Sequence, residues 1–204
     1  KRVRGVYIPP VIFESELSDV RARLAKAKSL GAEYALVGNI GALSLASDAG
    51  LIPVGDFRLN ITNSETRELY RDFGIEYAIL SPELTLPMAR DIGGGVITYG
   101  RIPLMLTERC FMKENFGCEK CSSVSLTDRT GAKFPMLYEY GHRNLILNSR
   151  PTYMGDKKAE LRSSNIKHAH FILSVEDAEE ALGVISAYKC GEPLPVPVRR
   201  IGKR

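Results

Sequence analysis

The sequence predicts an α/β fold: a partial (β/α) barrel of about five parallel β-α units, a small Cys-rich antiparallel β segment, and a final β-α unit. Three observations lead there. Short apolar runs alternate with amphipathic stretches of helical length through the first hundred residues. That rhythm stops after Leu106, where Gly, Cys, Arg and aromatic residues take over. The composition, 44% hydrophobic and 25% charged, is that of an ordinary packed domain and not of a disordered chain.

The elements follow in order. Val3 to Ile8 reads as a short buried strand closed by Pro9-Pro10, and a helix from about Glu16 to Leu30 places Leu17, Val20, Leu24 and Ala27 on one face before Gly31 stops it. The strand Tyr34–Val37 leads to a short helix over Ala42–Ala49, ended by Gly50. The strand Ile52–Asp56 then leads to a helix over Glu65–Phe73, capped by Ser64 and stopped by Gly74. Tyr77–Leu80 is the fourth strand, and a helix near Leu84–Asp91 carries Pro87 in its first turn, where a missing N–H costs little. The fifth strand is Val96–Tyr99, with a continuation toward Leu106. Antiparallel strands are expected at Val124–Thr127, Phe134–Tyr138 and Leu145–Asn148, the first two joined by the turn Asp128-Arg129-Thr130-Gly131. The last unit is strand His170–Leu173, Ser174 as cap with Asp177 completing a capping box, and helix Val175–Tyr188.

This divides the chain into a half barrel (1–106), a Cys-rich metal- or cluster-binding segment (107–160), and a final β-α unit with a basic tail (161–204). Parallel α/β sheets gather function at the carboxyl ends of their strands. Those ends present Asn39, Asn60, Ser81, Glu83, Tyr99 and Arg101, although solvated loops explain each of them singly.

The formal charge of +4 comes from the termini. Lys1, Arg2, Arg4, Arg199, Arg200, Lys203 and Arg204 account for seven of the 28 basic residues, leaving 21 against 24 acidic ones. Charge alone therefore does not argue for nucleic acid. Within 101–160, ten basic residues face seven acidic ones, and Arg109, Arg129, Arg143 and Arg150 suit an anionic substrate. No apolar run approaches the roughly 18 residues needed to cross a membrane.

Cys110, Cys118 and Cys121 form the pattern Cys-x7-Cys-x2-Cys, with Cys190 far downstream. Clustered thiols without a secretion signal read as metal ligands in a cytoplasmic protein more readily than as disulfides. A fourth ligand is open between His142, giving zinc on three thiolates and an imidazole, and Cys190, giving four thiolates for zinc or a 4Fe–4S cluster.

The stretch Tyr99-Gly100-Arg101-Ile102-Pro103-Leu104-Met105, Cys110, and Leu126-Thr127-Asp128-Arg129-x-Gly131-x-x-Phe134-Pro135 resembles the signature region of peptidase family U32. So do Asn144-x-x-x-Asn148-Ser149-x-Pro151-x-Tyr153-Met154-x-Asp156, Ser81-Pro82-Glu83-Leu84 and Leu59-Asn60-x-x-Asn63. The resemblance covers most of residues 50–160. It implies the C-terminal half of a collagenase-like (β/α) barrel protein, whose partner is the missing N-terminal half. Relatives act as peptidases or in hydroxylation of RNA or the ubiquinone ring, some with a 4Fe–4S cluster. This chain has Tyr138, Tyr140 and His142 where many members carry a further cysteine. It has Gly93-Gly94-Gly95 where the collagenase-type signature has a glutamate.

The resulting expectation is a fragment of a U32-type protein acting in metal- or Fe–S-dependent modification of RNA or a small aromatic substrate. Peptide hydrolysis and a non-catalytic zinc-bearing interaction domain are the alternatives. Glu83, Arg101, Glu108, Arg109, Asp128 and Arg129 are the candidate catalytic groups, and Asn60, Tyr99, Asn144 and Asn148 the candidate substrate contacts. No G-x-S-x-G or H-E-x-x-H motif is present, and His168-x-His170 reads as structural. Half a barrel exposes sheet edges, so the isolated fragment is expected to be nearly silent and able to pair as a homodimer.

Overall fold

The computed structural model describes residues 4–118, 124–166 and 168–200. It is an α/β protein, with seven α-helices and three small sheets among the described residues. The described residues form two compact units, one within 4–96 and 161–169 and the other within 97–160 and 170–200. The boundary runs through two strands.

In the first unit β1 (Gly5–Tyr7), β2 (Tyr34–Val37) and β3 (Ile52–Gly55) form a parallel sheet in the order β1-β2-β3. Tyr34 is in register with both Gly5 and Ile52. Parallel neighbours need crossovers. Helix α1 (Leu17–Ser29) supplies the first, burying Val20 and Leu24, and α2 (Ala42–Asp48) the second, burying Ala42, Leu45 and Ala46. Ile8, Ala35, Val37, Ile61, Ile75 and Ala78 of this unit are fully buried. Helix α3 (Ser64–Asp72) is capped by Asn63, whose Oδ1 accepts the Thr66 N–H at 2.7 Å, and not by Ser64. The expected strand at Tyr77–Leu80 is reduced to isolated parallel bridges, Gly55 to Ala78 and Ile79 to Gly95. Helix α4 (Leu86–Ile92) follows with proline in its first turn.

The partial barrel of five parallel units is therefore corrected. Three parallel strands form a sheet, and the remaining two sheets contain antiparallel pairs. The physical reason lies in the run from Val96 to Leu106. Apolar alternation of this kind suits either pairing direction, and the chain breaks at Arg101-Ile102 between β4 (Gly95–Gly100) and β5 (Pro103–Thr107). Gly100 has φ 133°, and a Cβ there would sit 2.5 Å from the Ile172 carbonyl oxygen, so only glycine fits.

In the second unit β5 joins β6 (Val124–Thr127), β7 (Lys133–Glu139) and β8 (Arg143–Leu147) in the antiparallel order β5-β8-β7-β6. The β6–β7 turn is held by Asp128, whose Oδ1 accepts from the Thr130 N–H, the Thr130 hydroxyl and the Ala132 N–H. Within this unit the later part of β4 lies in a second sheet of order β10-β4-β9, with β9 at Thr152–Tyr153 and β10 at His168–Ile172. Helix α5 (Phe111–Phe116) follows Cys110, and α6 is Lys158–Ser163. Helix α7 (Ala178–Cys190) is capped by Asp177 with Glu180 completing the box, three residues later than the expected Ser174 cap. The Glu180 carboxylate can reach back to the Asp177 N–H, which the Ser174–Asp177 pairing does not match, and Ser174 Oγ is buried without a partner.

Candidate functional site

The chemistry of the second unit converges on a cleft of about 570 Å³. Strand β4 brings Tyr99 and the following Arg101 to its wall, the segment leading into α7 brings Glu176 and the first turn of α7 Glu180, and the segment after α7 closes it with Leu194 and Val196. Val175, Val184 and Ala187 make the remaining wall largely apolar. A concave apolar site with a few fixed polar groups is the usual form of a ligand pocket.

Tyr99 is buried and donates its hydroxyl to Glu176 Oε1 at 2.7 Å. Its ring is held by Tyr153 and Phe171, with centroids 6.4 and 6.1 Å away. Burial, reinforced by the Glu176 carboxylate, raises the Tyr99 pKa well above the ordinary phenol value. The hydroxyl is thus a donor and not a base. Burial pushes Glu176 upward as well. The Ser174 and Val175 N–H groups, at 2.7 and 3.2 Å, together with the Tyr99 hydroxyl outweigh that push and hold its carboxyl below the usual range. Glu176 stays ionised at neutral pH.

Arg101 donates through Nη1 to the carbonyl oxygens of Asn148 (3.0 Å) and Ser149, while its buried Nε has no hydrogen-bond partner. The guanidinium clamps the loop after β8 while carrying its charge at the cleft. Glu176, Glu180 and Glu192 all line the cleft, so carboxylates outnumber the one guanidinium. Electrostatically the site favours a cationic or neutral ligand over an anion.

A second constellation surrounds Cys110. Its thiol is buried with Met136 and Ile146, and it caps α5, accepting the Lys113 N–H at 3.4 Å and the Asn144 Nδ2–H at 3.6 Å. Asn144, fully buried, also accepts the Phe111 N–H at 2.7 Å through Oδ1. Beside it Arg143, 1% exposed, donates to Glu108 Oε2 at 2.8 Å and to the Tyr140 carbonyl at 2.9 Å, whereas Glu108 is 62% exposed.

The other predicted residues are dispersed. Glu83 is exposed, and its N–H donates to Ser81 Oγ at 3.5 Å. Asn60 ends a short 3-10 turn with φ 52°, a left-handed geometry that asparagine tolerates. Arg109 pairs with Glu114 at the surface, Arg129 is exposed in the β6–β7 turn, and Asp128 is held low by its Thr130 hydrogen bond within that turn. Asn148 accepts the Arg150 N–H at 3.1 Å and shapes the loop that Arg101 clamps. Asp128 and Asn148 thus order backbone.

Of the predicted metal ligands, Cys118 and Cys190 are exposed, and His142 is an exposed left-handed turn residue packed edge-on against Tyr138. Cys121 lies outside the described residues. Among the described residues no group of three or more His, Cys, Asp or Glu side chains is placed to hold a metal ion. The donor set found there does not by itself fit zinc or a cluster. No helix among the described residues is long and apolar enough to cross a membrane.

Tyr99 and Arg101, both candidates from the sequence, line this cleft, whereas Glu176, 77 residues from Tyr99, was not among the candidates. The one available signal was an acidic pair, Glu176-Asp177, ahead of a helix.

Over 113 residues the chain is 28% identical to a protein of Methanocaldococcus jannaschii. That relative is named an uncharacterized protease. The alignment takes in 50% of this chain and 28% of the relative, so the chain spans well under half of it. No protein-family profile matches the sequence. No solved structure matches it either. The likeness is to a protease-like protein, at a distance that carries no particular activity.

Proposed function

We propose that this chain is the ligand-holding part of a U32-like, protease-like protein, and that its cleft receives a peptide bearing a cationic group beside apolar side chains. The observation that carries this reading is the cleft itself: apolar walls around an ionised Glu176 fixed by Tyr99, with Glu180 and Glu192 close by. A free amino terminus or a lysine side chain complements the carboxylates, and Val175, Val184 and Leu194 accept the aliphatic neighbours. The likeness to a protein named as a protease supports a peptide over other amphipathic ligands.

Hydrolysis needs a nucleophile beside an oriented base. Among the described residues the cleft lining includes no serine, cysteine, threonine or histidine, so the reading assigns the cleft the holding of a peptide and no covalent nucleophile. Calorimetric titration with a short Leu-Lys-Leu peptide tests this. Binding should be saturable, weaker for the N-acetylated twin, and weakened again by added salt or by Glu192→Gln. Equal affinity for both peptides and for the Glu192→Gln variant would sink the reading.

A second reading, metal- or cluster-dependent modification of RNA or a small aromatic substrate, is favoured by Cys110. Its sulfur accepts two N–H donors, at 3.4 and 3.6 Å, and is thereby fixed at the start of α5. In that reading Cys110 and Cys118 would supply thiolates, with Cys121 of the Cys-x2-Cys sequence pattern, which lies outside the described residues. Iron and sulfide analysis of protein purified without oxygen decides it. Stoichiometric metal that Cys110→Ser removes supports the second reading, and metal-free folded protein rejects it.

A further inference from the structure

The first unit contains a separate cavity of about 260 Å³ with a different chemistry. Arg67 and Arg71 of α3, Arg90 of α4, Asn165, His168 and Tyr77 line it, and among the described residues no carboxylate does. The geometry points to a binding site for a small phosphate monoester in this cavity, held by Arg71 and Arg90 over the fixed charge of Arg67.

Arg67 is the foundation. It is 3% exposed, and its Nη1 and Nη2 donate to the carbonyl oxygens of Ile75 (3.0 Å) and Glu76 (2.5 Å), while Nε is buried with no hydrogen-bond partner. Among the described residues its hydrogen-bond acceptors are carbonyls and not carboxylates, and Glu68 and Glu76 offset only part of its charge through space. Arg71 stands one helical turn on, so α3 places two like charges on one face. Burial first, and then Arg71, lower the proton affinity of Arg67. An anion in the cavity relieves both effects.

The remaining groups can be turned toward a ligand. Arg71 pairs with Glu68 at 2.6 Å and Arg90 with Asp91 at 2.7 Å, both exposed contacts that exchange readily with a better anion. Gly93 and Gly94 form one corner of the cavity, where Gly93 has φ 77° and a Cβ on Gly94 would fall 2.8 Å from buried Leu80. Asn165 is left-handed at φ 51°, and the His168 ring meets Tyr77 edge-on at 4.7 Å, forming an aromatic border. The volume lies below the range of about 300–1,000 Å³ typical of drug-sized ligands, so the ligand is small. Several guanidiniums match the charge near −2 of a monoester better than a carboxylate or a phosphodiester. This site does not depend on the peptide reading of the cleft.

The test is calorimetric titration of the whole chain with inorganic phosphate, ribose 5-phosphate, acetate and a short single-stranded RNA. Saturable one-to-one binding of phosphate and ribose 5-phosphate is expected, with acetate at least about tenfold weaker. Arg71→Gln and Arg90→Gln should each weaken both phosphates about tenfold while leaving the circular dichroism spectrum and peptide binding unchanged. Arg21→Gln, an exposed residue of α1 paired with Asp48, should change nothing. Equal binding of acetate, indifference to both substitutions, tighter binding of RNA than of the monoesters, or no saturable phosphate binding would each overturn the proposal.

Discussion

The hydroxyl of Tyr99 and the carboxylate of Glu176 meet at 2.7 Å across 77 residues of sequence. The contact ties the end of a buried strand to the approach of α7. It also fixes the protonation of both groups, a phenol that stays protonated and a carboxylate that stays charged.

Tyr99→Phe should cost about 1–2 kcal/mol, because it removes one donor from a half-buried carboxylate. The pH dependence follows from the depressed pKa of Glu176. A carboxylate whose folded pKa lies below its unfolded value stabilises the fold above the unfolded value, about 4.3, and loses that contribution as pH falls through the folded one. The stability gap between wild type and variant in urea unfolding should therefore be full at pH 7 and shrink in acid. A gap that grows in acid would contradict the assignment.

Gly183 lies within α7, lines the cleft, and a Cβ added there meets nothing within 4 Å. Gly183→Ala should stabilise the protein by about 0.8–1 kcal/mol through helix propensity alone. Thermal unfolding checks the stability. Gly183→Leu should fill the cleft and abolish peptide binding in a chain that still folds.

Arg143 and Glu108 form an unequal pair, one partner 1% and the other 62% exposed. Glu108→Gln should cost about 1 kcal/mol, since water reaches the glutamate end. Arg143→Ala should cost about 3 kcal/mol, because it empties a buried site and removes a donor to the Tyr140 carbonyl. Urea midpoints of the two variants give the comparison. A larger loss for Glu108→Gln would show that the carboxylate has a role beyond this pair.

Much of the first unit was legible. The runs Tyr34–Val37 and Ile52–Gly55 are apolar enough to be strands in any setting, and Gly31 and Gly74 mark helix ends that the structure keeps, with φ 92° and 86°. Pairing direction was not legible, because a buried strand has the same apolar pattern with parallel or antiparallel neighbours. That ambiguity produced the five-strand barrel from a chain that changes sheet at Arg101. Helix α5 was hidden too. Cys110 was singled out as a metal ligand, and its thiol also accepts an N–H in the capping position.

The candidate site was half visible for a related reason. Tyr99 and Arg101 stood out as polar groups at a strand end, but their partners are set by tertiary packing. Arg101 binds the carbonyls of Asn148 and Ser149, which carry no side-chain signal. Local competition decided the α7 cap: two capping patterns overlap, and the one whose glutamate reaches back to the Asp177 N–H prevailed.

The most direct test of the central claim is amide chemical-shift mapping on the isotopically labelled whole chain, titrated with the Leu-Lys-Leu peptide. The account predicts saturable shifts centred on Glu176, Gly183, Val184 and Leu194, reduced by N-acetylation and lost in Gly183→Leu. Shifts centred elsewhere, or shifts that persist in Gly183→Leu, would show that the cleft is not where this protein holds its ligand.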